Sequence, residues 1–265
     1  MSDLLERVTA FHVAFARRQA AAIVELPEFP GVFAVTHEEF VLSHEHNHLV
    51  VAGPGTDPAV LPELAVRWLG QRRQYAITVL DDELGERAAP VLTEAGYEWG
   101  AAVVLARETV GCELPEPAAH PAELAELRAA VLRQQSEWYE DPELARQLTD
   151  RRAARLCGAE QVHFLAARTP GGEVAAWSDL YLDRAAGLAQ LEDLVTDARH
   201  RGAGHGDTLL ATGLALAAAA GIPQLFLLAD AADWPRAWYG RRGFTEIGRI
   251  HSFHQGSVMV LDQGR

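Results

Sequence analysis

Two cysteines in 265 residues, Cys112 and Cys157, are too few for a disulfide framework and form no metal-binding pair. They read as thiols of a reducing cytosol. Long apolar runs are missing too: no uncharged stretch reaches the roughly eighteen residues of a membrane span. The N-terminus, MSDLLERVTAFHVAFARR, is acidic early and charged throughout, so it lacks the basic start and apolar centre of a signal peptide. The expectation is a soluble, cytoplasmic protein. Positive charge is scarce, with 23 Lys+Arg against 37 Asp+Glu and a formal net charge of −14. That excess of carboxylates argues against sequence-independent nucleic-acid binding. What is present is globular composition, 49% hydrophobic and 23% charged, in a length that serves one large domain or two small ones.

The stretch 111–124, GCELPEPAAHPAEL, holds three prolines and little apolar periodicity, and separates two richer halves. Before it, helical spacing at 61–74, a strand at 74–80, a helix at 86–97 and a strand at 101–106 are expected; after it, helices at 123–140 and 142–157. Strands at 163–168, 173–182 and 188–196 read as a meander, followed by helix 206–220, strand 223–229, helix 234–242 and a late strand near 252–261. This order implies a mixed α/β sheet. The halves echo one another: Gly55 to Gly96 and Gly204 to Gly243 are each separated by about forty residues carrying helix, strand and helix, which points to a duplicated fold.

RGAGHGDTLL, residues 201–210, spends three glycines at the doorway of a helix, where each costs about 1 kcal/mol relative to alanine. The first amides of a helix lack internal partners, and its dipole places partial positive charge there. Glycine lets the backbone approach a phosphate closely, and Arg199 and Arg201 add charge. A plain strand-to-helix turn is the competing reading. A Walker loop is excluded, because Gly206-Asp207-Thr208 has no lysine. The dinucleotide fingerprint, begun by Gly202 and Gly204 and completed by Asp230, meets aspartate at 207 where its third glycine belongs.

The string Arg201-x-x-Gly204-x-Gly206 resembles the acyl-CoA pyrophosphate loop of the GNAT N-acetyltransferase superfamily, and AWYGRRGF resembles that family's later element at Tyr239, Gly243 and Phe244. The resemblance implies two tandem GNAT-like domains, 1–110 and 121–265, joined by a linker at 111–120. Each would be a mixed, mainly antiparallel sheet flanked by helices, with a splayed central strand pair in the second. It implies acetyl-CoA as acyl donor, its pyrophosphate on the amides of Gly202, Ala203, Gly204, His205, Gly206 and Asp207 with Arg201 beside them, and its pantetheine arm along Leu194, Val195 and Thr196. A bulge amide at Leu194 or Val195 would polarise the thioester carbonyl.

Tyr239 matches the family residue that protonates the leaving thiolate, a role a phenol fits because it is not ionised at neutral pH; an inner-face aromatic is the bland reading. For the general base, Glu192 and Asp193 are adjacent, so strand alternation sends one of them away from the cleft. Glu192 shares its parity with Leu194 and Thr196 and is the candidate, beside a plain strand carboxylate. Asp233 is expected to cap the helix beginning at Trp234-Pro235. His44, His46 and His48 fall on one face of an expected strand; a metal site is possible there, but no fourth ligand is evident and no metal is expected. By the same resemblance, Trp138 and Tyr139 fall where the family's acceptor-binding segments lie, although helix-packing aromatics would look identical.

The first half departs from the pattern. Gly53-Pro-Gly-Thr-Asp-Pro58 removes amide donors and adds an aspartate, and Leu92 stands where a tyrosine would be. It is expected to bind no acyl-CoA and to complete the acceptor cleft, as a monomer with an internal pseudo-dimer or as a homodimer. The expected activity is acetylation of a small primary amine, with no nucleic-acid or membrane partner. A non-catalytic acyl-CoA sensor and a dinucleotide oxidoreductase are the alternatives.

Overall fold

The computed structural model describes residues 3–116 and 118–255. The first half runs α1 (Asp3–Gln19), β1 (Ala22–Glu25), β2 (Val32–Thr36), β3 (His48–Val51), α2 (Leu61–Leu69), β4 (Tyr75–Val79), α3 (Asp82–Glu94) and β5 (Glu98–Glu108). The second runs β6 (His120–Pro121), α4 (Leu124–Trp138), α5 (Pro142–Asp150), α6 (Arg152–Arg155), β7 (Gln161–Arg168), β8 (Val174–Asp183), β9 (Leu188–Thr196), α7 (His205–Ala219), β10 (Gln224–Asp230), α8 (Pro235–Gly240) and β11 (Thr245–Gln255).

Side-chain caps decide several ends. The Asp81 carboxylate accepts from the Leu84 amide, so α3 starts four residues before the expected helix. Asp141 caps α5, with Pro142 in its first turn. The expected helix 142–157 breaks at Arg151, where the chain turns its arginines inward. The late strand begins at Thr245, and residues 256–261 of the expectation lie outside the described residues. Asp233 does not cap α8: its carboxylate accepts from the adjacent Trp234 amide, and Trp234 holds the cap position.

Among the described residues eleven strands form one sheet, in the order β1-β2-β3-β4-β11-β5-β10-β9-β8-β7-β6. The duplication is visible in it: β3 and β4 pair in parallel in the first half, as β9 and β10 do in the second, each pair linked through a helix. The last strands are exchanged. β5 pairs with β10 of the second half, β11 pairs with β4 of the first, and β5 and β11 pair with each other. Apart from the two parallel pairs the ladders are antiparallel, which is not the doubly wound sheet of a dinucleotide-binding fold.

Alternation along the strands divides the core. On one face, Leu209, Leu210 and Leu214 of α7 pack on Leu191, Leu225 and Leu227, and α2 and α3 pack on Leu49, Ile77 and Phe253. On the other, α1 crosses the junction of the halves, setting Val8, Phe11 and Phe15 against Val104, Phe226 and Ile250. Each such side chain contributes roughly 1.5–3 kcal/mol when fully buried.

Candidate active site

The parallel pairing of β9 with β10 covers only Leu188–Gln190 against Gln224–Phe226, and beyond it the two strands part. In the first half, by contrast, β3 pairs with β4 along its whole length, so no wedge opens there. In the glycine loop of that half a Cβ at Gly53 would meet the Pro30 carbonyl oxygen at 2.3 Å, while one at Gly55 would meet nothing within 4 Å.

Where β9 leaves β10 it carries a bulge. Trp177 pairs with Val195 and Asp179 with Glu192, so Asp193 and Leu194 together face Ser178, and Asp193 takes a left-handed conformation at φ 48°. The bulge corrects the parity expected from the sequence. Glu192 and Asp193 both face the same cavity, whereas Leu194 and Thr196 turn to the opposite side, toward Gly206 at the start of α7. Adjacent acids can share the cleft because the extra residue inverts the alternation between them.

The loop after β9 passes through a short 3-10 turn, Ala198–His200, to two left-handed glycines, Gly202 (φ 79°) and Gly204 (φ 83°), and into α7 at His205. A Cβ at either glycine would meet nothing within 4 Å, so these glycines are needed for their backbone angles and stand over open space. Among the described residues, the amides from Gly202 to Asp207 donate to no protein acceptor. Six such donors at a helix N-terminus fit a diphosphate. Arg201 is exposed beside them and, among the described residues, makes no ion pair. Arg199, expected to join it, is instead held by Asp197 and Glu173, at 2.8 Å each. The Asp207 carboxylate is neutralised by Arg242, whose guanidinium lies 3.7 Å from the Trp238 ring centroid.

Tyr239 belongs to α8, on the α7 side of the sheet, where it packs with Trp238 and Phe244 and is 8% exposed. Burial, then the nearby Glu192 carboxylate, pushes its hydroxyl up to about 12, with Arg242 opposing. It is therefore a proton carrier at every pH at which the fold would be assayed.

On the other side of the sheet lies a cavity of about 470 Å³, walled by both halves. Trp138, Tyr139, Gln190, Glu192 and Asp193 come from the second half; α1, the segment 42–48 and β4 come from the first. Burial and then the Asp193 charge raise the Glu192 carboxyl to about 7. Burial would raise Asp193 as well, but the guanidiniums of Arg155, Arg152 and Arg151 hold it below its usual value. The two acids thus differ in role: Asp193 stays ionised at neutral pH, and Glu192 is poised to take or give a proton.

The arginines that impose this difference were not singled out by sequence reasoning. Asp179, fully buried on β8, is bonded by Arg152 and, at 2.8 Å, by Arg155. Arg155 also holds Asp193 at 2.6 Å and Glu45 of the first half at 2.7 Å. RRAAR at 151–155 and the lone Glu45 carry no signal of this in sequence, because Glu45 lies 110 residues from Arg155, and Asp179 and Asp193 lie 24 and 38 residues from it, beyond the range of any local pattern. Removing one member strands buried charges, so Arg155→Leu should lower stability by about 3–5 kcal/mol, read as a shifted urea midpoint. An unchanged midpoint would mean that the network holds nothing together.

The histidine trio does not form a strand face. His44 and His46 lie in a 3-10 turn and His48 opens β3; His44 and His48 line the cavity, while His46 packs on His37 and Phe40. Among the described residues, Asp82, Glu86 and His251 have ligand atoms within 4.8 Å of one another, on α3 and β11 away from the bulge. The His251 ring is already shared there between Asp82 and Trp99. No helix is long and apolar enough to cross a membrane, among the described residues.

A splayed parallel pair, a bulge, free amides at a helix start and a tyrosine on the next helix thus come together in the second half. Residues 124–244 match the model of the acetyltransferase (GNAT) family. Among solved structures, a GCN5-related N-acetyltransferase from Kribbella flavida is similar over 97% of both chains, at 20% identity and TM-score 0.63. A tandem GNAT protein from the clavulanic acid biosynthesis pathway is similar over 96% of this chain and 94% of its own, at 14% identity and TM-score 0.52. A functionally unknown protein from Staphylococcus epidermidis covers 86% of this chain and 91% of its own, at 12% identity and TM-score 0.61. No curated protein matches in sequence.

Proposed function

We propose that this chain transfers an acetyl group from acetyl-CoA to a primary amine of a small molecule, by direct attack of the amine on the thioester. The observation that carries the reading is the set of unbonded amides from Gly202 to Asp207, placed where β9 and β10 part. These amides and Arg201 would hold the diphosphate, and the free edge of β9 at Leu194, Val195 and Thr196 would take the pantetheine amides. Acetyl-CoA supplies the activated acyl group.

In this reading the splay serves as a window through the sheet, between Tyr239, which packs in the cluster on the α7 side, and the cavity that Glu192 lines. An ammonium entering the cavity gives a proton to Glu192, directly or through water. The neutral nitrogen bonds to the acyl carbon while an amide of the bulge, at Leu194 or Val195, donates to the carbonyl oxygen. The carbon–sulfur bond breaks as Tyr239 gives its proton to the sulfur, and the nitrogen loses its second proton, through water, to the Tyr239 phenolate, which leaves a neutral amide. Residues 1–110 act in this reading as the structural half, closing the acceptor cleft without binding a donor.

The test is thiol release from acetyl-CoA over a panel of amines. Tyr239→Phe should lower kcat by about a hundredfold or more while donor affinity holds, as loss of a general acid does. A fully active variant would remove the phenol from the mechanism. A protein that binds acetyl-CoA and acetylates nothing would instead be a sensor. Stabilisation by NADH but not acetyl-CoA in a thermal-shift comparison would restore the oxidoreductase reading.

A further inference from the structure

Charge pairing in the cavity says what kind of amine it takes. Three carboxylates line it, Glu45, Glu192 and Asp193, and two cations, Arg151 and Arg155. Glu45 is paired with both arginines and Asp193 with Arg155. Glu192 alone has no ion pair among the described residues; it accepts a hydrogen bond from the Gln190 side chain. One acid is therefore open to one ammonium and no further acid is left for a second cation; of the cations, Arg151 keeps a buried Nε without a partner, but its charge is matched by Glu45.

The far end of the cavity, built by the first half, is polar but neutral. Gln19 and Gln74 are buried with their Oε1 atoms unbonded, and His48 is buried with its Nε2 unbonded, all three lining the cavity. The other nitrogen of His48 contacts the Thr78 hydroxyl at 2.9 Å. His48 stands beside Ala76 and Ala76 beside His254 across three adjacent strands, with the His44 ring 3.2 Å from that of His254. Burial holds His12, His44 and His48 near 4 and lowers His254, so all four imidazoles are uncharged at neutral pH. Between the two ends the floor is small or apolar: Ser252, Ile250, Ala102 and Leu228. From β9 to β11 is three strand steps, about 14 Å at ordinary spacing.

Buried polar atoms without partners cost free energy unless a ligand completes them. Carbonyl oxygens of glutamine need donors, and a neutral imidazole nitrogen needs a donor or an acceptor according to its tautomer. A hydroxyl is both. We propose that the first half is a recognition subsite, and that the acceptor is a single amine on a neutral, hydroxylated body: an amino sugar or amino polyol, with its hydroxyls on Gln19, Gln74 and His48. This deepens the reading of Glu192 as the amine's proton acceptor and rests on it.

The experiment compares glucosamine with cyclohexylamine, a ring of like size without hydroxyls, and with 1,10-diaminodecane and a zwitterionic amino acid, in the acetyl-CoA thiol-release assay. Glucosamine should exceed each of the others at least tenfold in kcat/KM. Gln19→Leu with Gln74→Leu should cost glucosamine at least tenfold more than cyclohexylamine. Gln74→Glu keeps the side-chain shape and adds an unpaired anion at the far end, so it should raise the ratio of diamine to glucosamine. Equal rates for glucosamine and cyclohexylamine, a wild-type preference for the diamine or the amino acid, or equal losses in the double variant would overturn the proposal. If no amine is acetylated, the transferase reading fails separately. Calorimetry then decides the subsite, since glucosamine must still bind the wild-type chain and bind the double variant at least tenfold more weakly.

Discussion

Gly204→Asp should raise the dissociation constant for acetyl-CoA at least a hundredfold, about 2.7 kcal/mol, in calorimetry. The residue sits at φ 83°, just before α7, and a Cβ there would meet no protein atom within 4 Å. The fold therefore has room for the side chain, and its backbone penalty is that of a single left-handed residue, about 1–2 kcal/mol. The carboxylate, however, stands where the amides of 202–207 point and repels any diphosphate they would bind. The melting temperature of the variant without ligand should drop slightly, while the stabilisation by saturating acetyl-CoA should disappear. A variant that keeps its affinity would show that the pyrophosphate lies elsewhere.

Glu192→Gln carries the second large effect, a fall in kcat of about 10² to 10⁴ with donor affinity retained, the usual contribution of a general base. The pH profile makes this specific. With the Glu192 carboxyl at about 7, protonation below that value removes the base, so kcat/KM should rise about tenfold per pH unit up to 7 and then level. The glutamine variant should lose that step. Tyr239 contributes no ionisation in this range, because its hydroxyl is pushed up to about 12. If the acidic limb persists unchanged in Glu192→Gln, another group takes the proton, and Asp193, held ionised by Arg155, is not suited to that task.

The helices and strands of the second half were legible in sequence because their signals are local. Asp141 before Pro142, glycines at 202 and 204, and the alternation of 188–196 each act within a few residues, and the structure places an element at each. The loop glycines were legible for the same reason: a left-handed backbone angle excludes most side chains whatever lies around it. The parity of β9 was not. Nothing in Leu191-Glu-Asp-Leu-Val-Thr196 announces a bulge, which exists because two residues of β9 must span one of β8 while Arg155 draws the Asp193 carboxylate toward the cavity.

The same division runs through the whole chain. Its amino-acid order by itself determined a repeated strand–helix succession, one half with a glycine-rich loop ahead of its helix and the other with prolines and an aspartate in its place. Only the tertiary structure decided that β5 and β11 change places, that Glu45 meets Arg155 across 110 residues of chain, and that the first half walls the cavity beside Glu192. Backbone angles and caps are short-range and are written where they act. Ion pairs, strand exchange and shared cavities depend on which surfaces meet, and that is fixed when the two halves close a single sheet.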